Sequence, residues 1–213
     1  MALRPAIFWA GLSGVLALEG MTFFIPRGTV AVDMTALGTV RLAQAAWVMG
    51  MAWCLGNGAP SFGLARVNLL PGFKRGALWC LFFALVAGIG ILVLHLLGLA
   101  PLRMLHSRLP ESTLGLALFI FVGTFIAPLA EELFFRGLVY GYFRRWGIPA
   151  ALLVSIVFFV LPHMGASRIP FTQMVGGVVF ALAYEKEKNL LVPIMIHASG
   201  NFALFALAWL GAP

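Results

Sequence analysis

Apolar runs long enough to cross a lipid bilayer follow one another from Pro5 to Trp209, with only short polar connections between them. A membrane-spanning helix needs about 20 mostly apolar residues, and it satisfies its own backbone hydrogen bonds where no water is available. Here 62% of residues are hydrophobic and 10% are charged, whereas about a quarter are charged in soluble domains. Water is therefore not the main solvent of this chain, and no separate soluble domain has room to form. The chain reads as a single all-α integral membrane domain over residues 1–213, a polytopic transmembrane helical bundle of about seven to eight membrane helices.

The predicted helical runs are 5–25, 36–56, 76–100, 113–146, 149–163, 171–185 and 190–210, with Gly, Pro and charge marking the gaps. The first run follows a lone Arg4 and lacks a small-x-small cleavage site, so it is expected to be retained as a helix. The stretch 57–75, with Asn57, Gly58, Pro60, Pro71 and Gly72, is expected to be the longest irregular connection, at the surface. The fourth run is too long for one straight span: its 34 residues at about 1.5 Å each reach roughly 51 Å against a core of about 30 Å. Pro128 marks the expected bend because it lacks a backbone donor, and Thr124 is placed to satisfy a freed carbonyl. A complete break there gives the eighth span.

The formal net charge of +7 does not point to nucleic acid, because the basic residues are scattered between apolar runs. Topology signals and anionic headgroups use them in such places. With seven spans, Arg4, Arg66, Lys74, Arg75, Arg144, Arg145, Lys186 and Lys188 share one side, while Arg27, Arg41, Arg103, Arg108 and Arg168 share the other. That bias favours a cytoplasmic N-terminus. Glu19 and Arg41 read as interfacial anchors, or as a pair near the face opposite Arg4. Cys54 and Cys80 lack metal-site or redox spacing and read as small apolar residues.

Ionisable groups inside apolar runs are the informative ones, since each costs about 2.5–3.5 kcal/mol at a helix centre and marks a functional site by default. Glu131, Glu132 and Arg136 fall within six residues between strongly apolar flanks. Glu132 and Arg136, four apart with the acid first, are in the favourable order for an ion pair on one helical face. Glu131 lies about 100° away and has no local partner. It either hydrogen-bonds a neighbouring helix or serves as a general base. His163 ends its run above Phe159 and beside Pro162, and His197 and Asn201 share a face of the last run. Three helices can thus aim an acid, an imidazole and an imidazole–amide pair at one cavity. His95 has no nearby ionisable partner, and His106 lies in a basic connection.

Glu131-Glu132-x-x-x-Arg136, Phe159-x-x-x-His163 and His197-x-x-x-Asn201, in that order on separate apolar segments, resemble the motif set of the CAAX prenyl endopeptidase and bacteriocin-processing (CPBP) family, also called Abi. The likeness covers about 113–205; residues 1–112 add no motif. It implies a glutamic-type intramembrane protease in which Glu131 and His163 activate water, His197 and Asn201 stabilise the oxyanion, and Glu132, Arg136 and Phe159 support them. The residue types suit the chemistry, which needs a base for water, donors for an oxyanion and a proton for the leaving amine. Ser155, Ser167 and Ser199 lack a nucleophile-elbow sequence.

No cofactor is expected. The rival is a Zn2+ site made by Glu131, His163 and His197, a known type of catalytic ligand set, although no H-E-x-x-H helix is present. Another class is a non-catalytic binding or immunity protein, or a transporter, on a similar scaffold. The expected substrate is a membrane-associated protein or peptide cut near a terminal signal. A myxosortase-like sorting role is preferred over prenylated substrates, in a prokaryotic inner membrane. Oligomeric state is not legible.

Overall fold

A computed structural model describes residues 3–99, 109–164 and 170–210. Arg103, His106, Arg108, Ser167 and Arg168, which entered the sequence reading, lie outside the described residues. Seven helices are found among the described residues: α1 Pro5–Met21, α2 Val30–Leu55, α3 Arg66–Leu96, α4 Thr113–Trp146, α5 Ile148–His163, α6 Phe171–Glu187 and α7 Leu191–Leu210. They correspond one for one to the seven predicted runs, and no strand occurs among the described residues. Four helical stretches, Pro5–Phe24, Ala59–Leu96, Thr113–Trp146 and Leu191–Leu210, are long and apolar enough to cross a membrane on their own. α5 and α6 are shorter, and α2 carries Asp33, Arg41 and Gln44 along its length. The protein is an integral membrane protein of the all-α class.

Local chemistry explains the starts. Thr29 caps α2 by accepting from Val32 N, Ser112 caps α4 by accepting from Gly115 N, and proline stands in the first turn of α1 and of α5. Two boundaries differ from expectation. α2 begins at Val30 because Thr29 and Asp33, which accepts from Gly28 N at 3.0 Å, organise its first turn. The surface loop expected over 57–75 is not one. Ala59–Phe62 forms a 3-10 turn, and α3 begins at Arg66 with Pro71 inside it. A tertiary contact overrides the Pro71-Gly72 signal: Asn189 Nδ2 donates to Asn68 O at 2.8 Å. Gly72 makes room for it, since a Cβ there would fall 2.3 Å from the same nitrogen.

α4 runs through the middle of the bundle, packed on α1, α2, α5, α6 and α7. It absorbs its excess length without a break, so an eighth span does not arise at Pro128. Two π-helical stretches, Val122–Ile126 and Leu133–Tyr140, flank the α-helical segment Ala127–Glu132. The role expected of Thr124 is not filled, because its hydroxyl is buried with no partner among the described residues. The π turn moves the carbonyl that needs a donor to Gly123, and that carbonyl is served by Asn201.

Polarity is distributed as lipid demands. α3 presents Leu78, Phe82, Leu85 and Ile89 outward, while Glu132 and Arg136 are 0% exposed. At one end of the bundle Arg144 and Lys188 pair with Glu185, Arg75 pairs with Glu187, and Arg145 bonds Leu3 O. The sequence reading had placed these basic residues on one side. Glu19 and Arg41 do pair, at 2.6 Å between α1 and α2, with Gln44 bonded to both.

The most demanding residue to bury is Arg136. Its guanidinium meets Glu132 Oε1 at 2.8 Å and donates to Gly177 O on α6 at 3.1 Å. It also lies 4.5 Å from the Phe159 ring centroid and 5.2 Å from that of Phe180. Charge, hydrogen bonds and aromatic faces together offset its desolvation. Gly177 suits this approach, since a Cβ there would sit tightly, 3.2 Å from the Phe159 ring. Removing either partner strands a buried charge. Arg136→Gln and Glu132→Gln are each expected to cost about 3–5 kcal/mol, read as a lowered thermal midpoint in detergent. An unchanged midpoint in both would show that the pair does not hold the fold.

Candidate active site

Glu131 and Glu132 end the α-helical segment between the two π stretches of α4, and adjacency on a helix turns them about 100° apart. Glu132 faces Arg136 and is fully buried, whereas the Glu131 side chain keeps 19% exposure. From α7, His197 reaches both. Its Nδ1 lies 2.9 Å from Glu132 Oε1, and its Nε2 lies 3.8 Å from Glu131 Oε2. Glu132 is an acceptor, so Nδ1 carries the hydrogen of that bond and Nε2 is the atom turned to Glu131. The second glutamate thus fixes the ring whose far edge meets the first. Glu132 Oε2 is buried and has no partner among the described residues.

Phe180 of α6 stacks on His197 with centroids 4.7 Å apart and planes 20° apart, and Phe159 meets the same ring edge-on at 5.7 Å. Phe159 also lies 5.1 Å from the His163 ring, so one aromatic side chain stands against both imidazoles. His163 sits in the 3-10 turn Leu161–His163 that Pro162 introduces at the end of α5. Its Nδ1 is 2.8 Å from Phe159 O. A carbonyl only accepts, so Nδ1 is the protonated nitrogen and neutral His163 offers Nε2 as its lone pair. Asn201, one turn beyond His197, donates through Nδ2 to Gly123 O on α4 at 2.8 Å.

Of the four sequence-predicted groups, the structure brings Glu131 and His197 within 4 Å, links His163 to them through Phe159, and ties Asn201 to α4 two turns before Glu131. Phe159, Glu132 and Arg136 form the layer behind them. Among the described residues, no three His, Cys, Asp or Glu side chains are placed to hold one metal ion. Ser155 spends its hydroxyl on Phe135 O at 3.0 Å, and Ser199 bonds Cys80 Sγ. Phe180 and Gly177 escaped the sequence reading. Gly176-Gly177 in an apolar helix was a legible sign of close helix approach, whereas Phe180 is one of 19 phenylalanines with nothing to set it apart.

Comparison with known proteins bears on this half of the chain. The family described as type II CAAX prenyl endopeptidase Rce1-like matches residues 113–203. The membrane-embedded CAAX protease MroQ of Staphylococcus aureus is 37% identical over 91 residues, 39% of this chain and 36% of the relative. The UPF0177 protein YxdF of Lactococcus lactis is 32% identical over 76 residues, 36% of this chain and 42% of the relative. The chain thus spans well under half the length of these relatives, and no solved structure matches it. The matched segment contains Glu131, Glu132, Arg136, Phe159, His163, His197 and Asn201. Residues 113–203 of this integral membrane chain are thus similar to the type II CAAX prenyl endopeptidase Rce1-like family, and every residue of the candidate site lies within that match.

Proposed function

We propose that the protein is an intramembrane endopeptidase of the glutamic type, cutting a membrane-associated protein or peptide near a terminal signal. The observation that carries the reading is the convergence of Glu131 and His197 from α4 and α7 at 3.8 Å. That separation is too long for a direct hydrogen bond and short enough for a shared water or a substrate oxygen. Glu131 takes a proton from the attacking water, with His163 as its partner through the free Nε2. The new C–O bond gives a tetrahedral carbon whose oxyanion accepts from the Asn201 amide and from His197 Nε2, a step that requires hydrogen on both ring nitrogens of His197. Collapse breaks the C–N bond, and the proton passes to the leaving amine. His197 is held for this task by Glu132, and the aromatic faces of Phe159 and Phe180 keep bulk water from the ring.

The family match and the bacterial relatives support an intramembrane protease, and the prokaryotic inner membrane is the location that goes with this reading. Within it we favour a myxosortase-like or peptide-processing role over action on prenylated termini, because prenylation is uncommon in bacteria. Comparing protein termini in membranes with and without this chain identifies the substrate. The non-catalytic alternative, a binding or immunity protein on the same scaffold, predicts no lost cleavage.

Glu131→Gln keeps the shape of the side chain and loses the base. It is expected to abolish proteolysis of a cleavable membrane peptide while leaving the thermal midpoint within a few degrees of the parent. Wild-type turnover by this variant would remove Glu131 from the mechanism. Exhaustive chelation is expected to leave activity intact. Loss on chelation with recovery on Zn2+ alone would favour the metal mechanism through Glu131, His163 and His197. His163→Ala is expected to move or remove one limb of the kcat against pH profile, because in this reading His163 shares the activation of water with Glu131. An unchanged profile with reduced kcat would give the water-activating role to another group.

A further inference from the structure

The carbonyl that Asn201 holds has a particular place in α4. Ala127 N–H bonds Val122 O, five residues back, so in this π register the next carbonyl, Gly123 O, falls to residue 128. Residue 128 is proline and has no N–H to give. Gly123 O would be left unpaired inside an apolar bundle, where a bare carbonyl is costly. Asn201 Nδ2 donates to it across the helix interface at 2.8 Å. The helices are in contact here: Phe205 of α7 stands 2.9 Å from where a Cβ on Gly123 would be, and its ring packs on Phe119 at 4.8 Å. Pro128 is itself fully buried, and the neighbouring Thr124 hydroxyl does not take the donor's place.

We propose that Pro128 is a positioning residue for Asn201. By lacking a backbone donor, it reserves Gly123 O for the side-chain amide. A carbonyl accepts only a donor, so the amide must turn Nδ2, and not Oδ1, toward α4. One hydrogen of Nδ2 is then committed to Gly123 O, and the other is free in a fixed direction one turn from His197. The catalytic consequence rests on the reading of Asn201 as an oxyanion donor; the clamp between α4 and α7 does not.

The test uses the full chain in one detergent as wild type, Pro128→Ala, Asn201→Ala and the double variant. Thermal midpoints are measured for all four, with kcat and KM on a cleavable membrane peptide. Asn201→Ala is expected to lower the midpoint by several degrees in the parent and by much less beside Pro128→Ala, because that substitution supplies the N–H that Gly123 O lacks. Pro128→Ala alone is expected to lower kcat by about 10-fold with KM nearly unchanged, the mark of a misaligned catalytic group. If Pro128→Ala does not fold, Pro128→Ser supplies the same N–H and repeats the test. Equal midpoint losses in both backgrounds overturn the clamp, even where Asn201→Ala destroys activity and the protease reading stands. Coupled midpoints with wild-type kcat in Pro128→Ala overturn the positioning role. Coupled midpoints in a chain that cleaves nothing establish the clamp and sink the protease reading instead.

Discussion

One carboxylate oxygen joins the parts of this molecule that matter. Glu132 Oε1 receives Arg136 at 2.8 Å from its own helix and His197 at 2.9 Å from α7. Through Gly177 O, the same arginine takes hold of α6. A lone charge in lipid is expensive on any scale, and here the expense is met by making each ionic group the anchor of another helix. A buried ion pair is by itself weak evidence for stability, because hydrophobic replacements often do as well. What an apolar replacement cannot supply is direction. The pair sets which edge of His197 faces Glu131, so the interaction that settles α4 among its neighbours also orients the site.

Most of the helices were legible because lipid imposes a single rule, about 20 apolar residues per crossing. α4 was foreseen at Thr113–Trp146, and the Glu132–Arg136 pair followed from their spacing and order. The misses have a common cause, which is tertiary contact overriding local backbone signals. Pro71-Gly72 read as a loop, yet Asn189, more than a hundred residues away, holds that turn within a helix. Pro128 read as a bend that Thr124 would relieve, yet the π turn shifted the need by one residue and Asn201 met it. A π register cannot be seen in hydropathy, because it changes which carbonyl goes unserved without changing which residues are apolar.

The candidate site was legible as a list of residue types and illegible as an arrangement. Glu131, His163, His197 and Asn201 stood out because membrane helices seldom carry such groups. Their mutual geometry depends on side chains that look ordinary in the sequence. Phe159 lies between two imidazoles, Phe180 covers one of them, and Gly177 lets α6 come close enough for both contacts. Apolar residues of this kind form the wall of a polar site, and only their positions in space distinguish them from lipid-facing neighbours.

The packing of α3 against α7 bears on how such a chain is made. Gly76 lies under Met195, Phe83 lies near Gly200, and Cys80 accepts from Ser199. Of the described helices, α7 is the latest to be synthesised, so α3 enters the membrane well before its partner exists. Over the same interval Glu132 and Arg136 have each other but not His197, and Gly123 O has no Asn201. Until α7 is in place, the polar groups of α4 are therefore only partly answered. Docking of α7 brings His197 to Glu132 and Asn201 to Gly123 O together, so one packing step answers the polar groups of α4 at two levels of the helix.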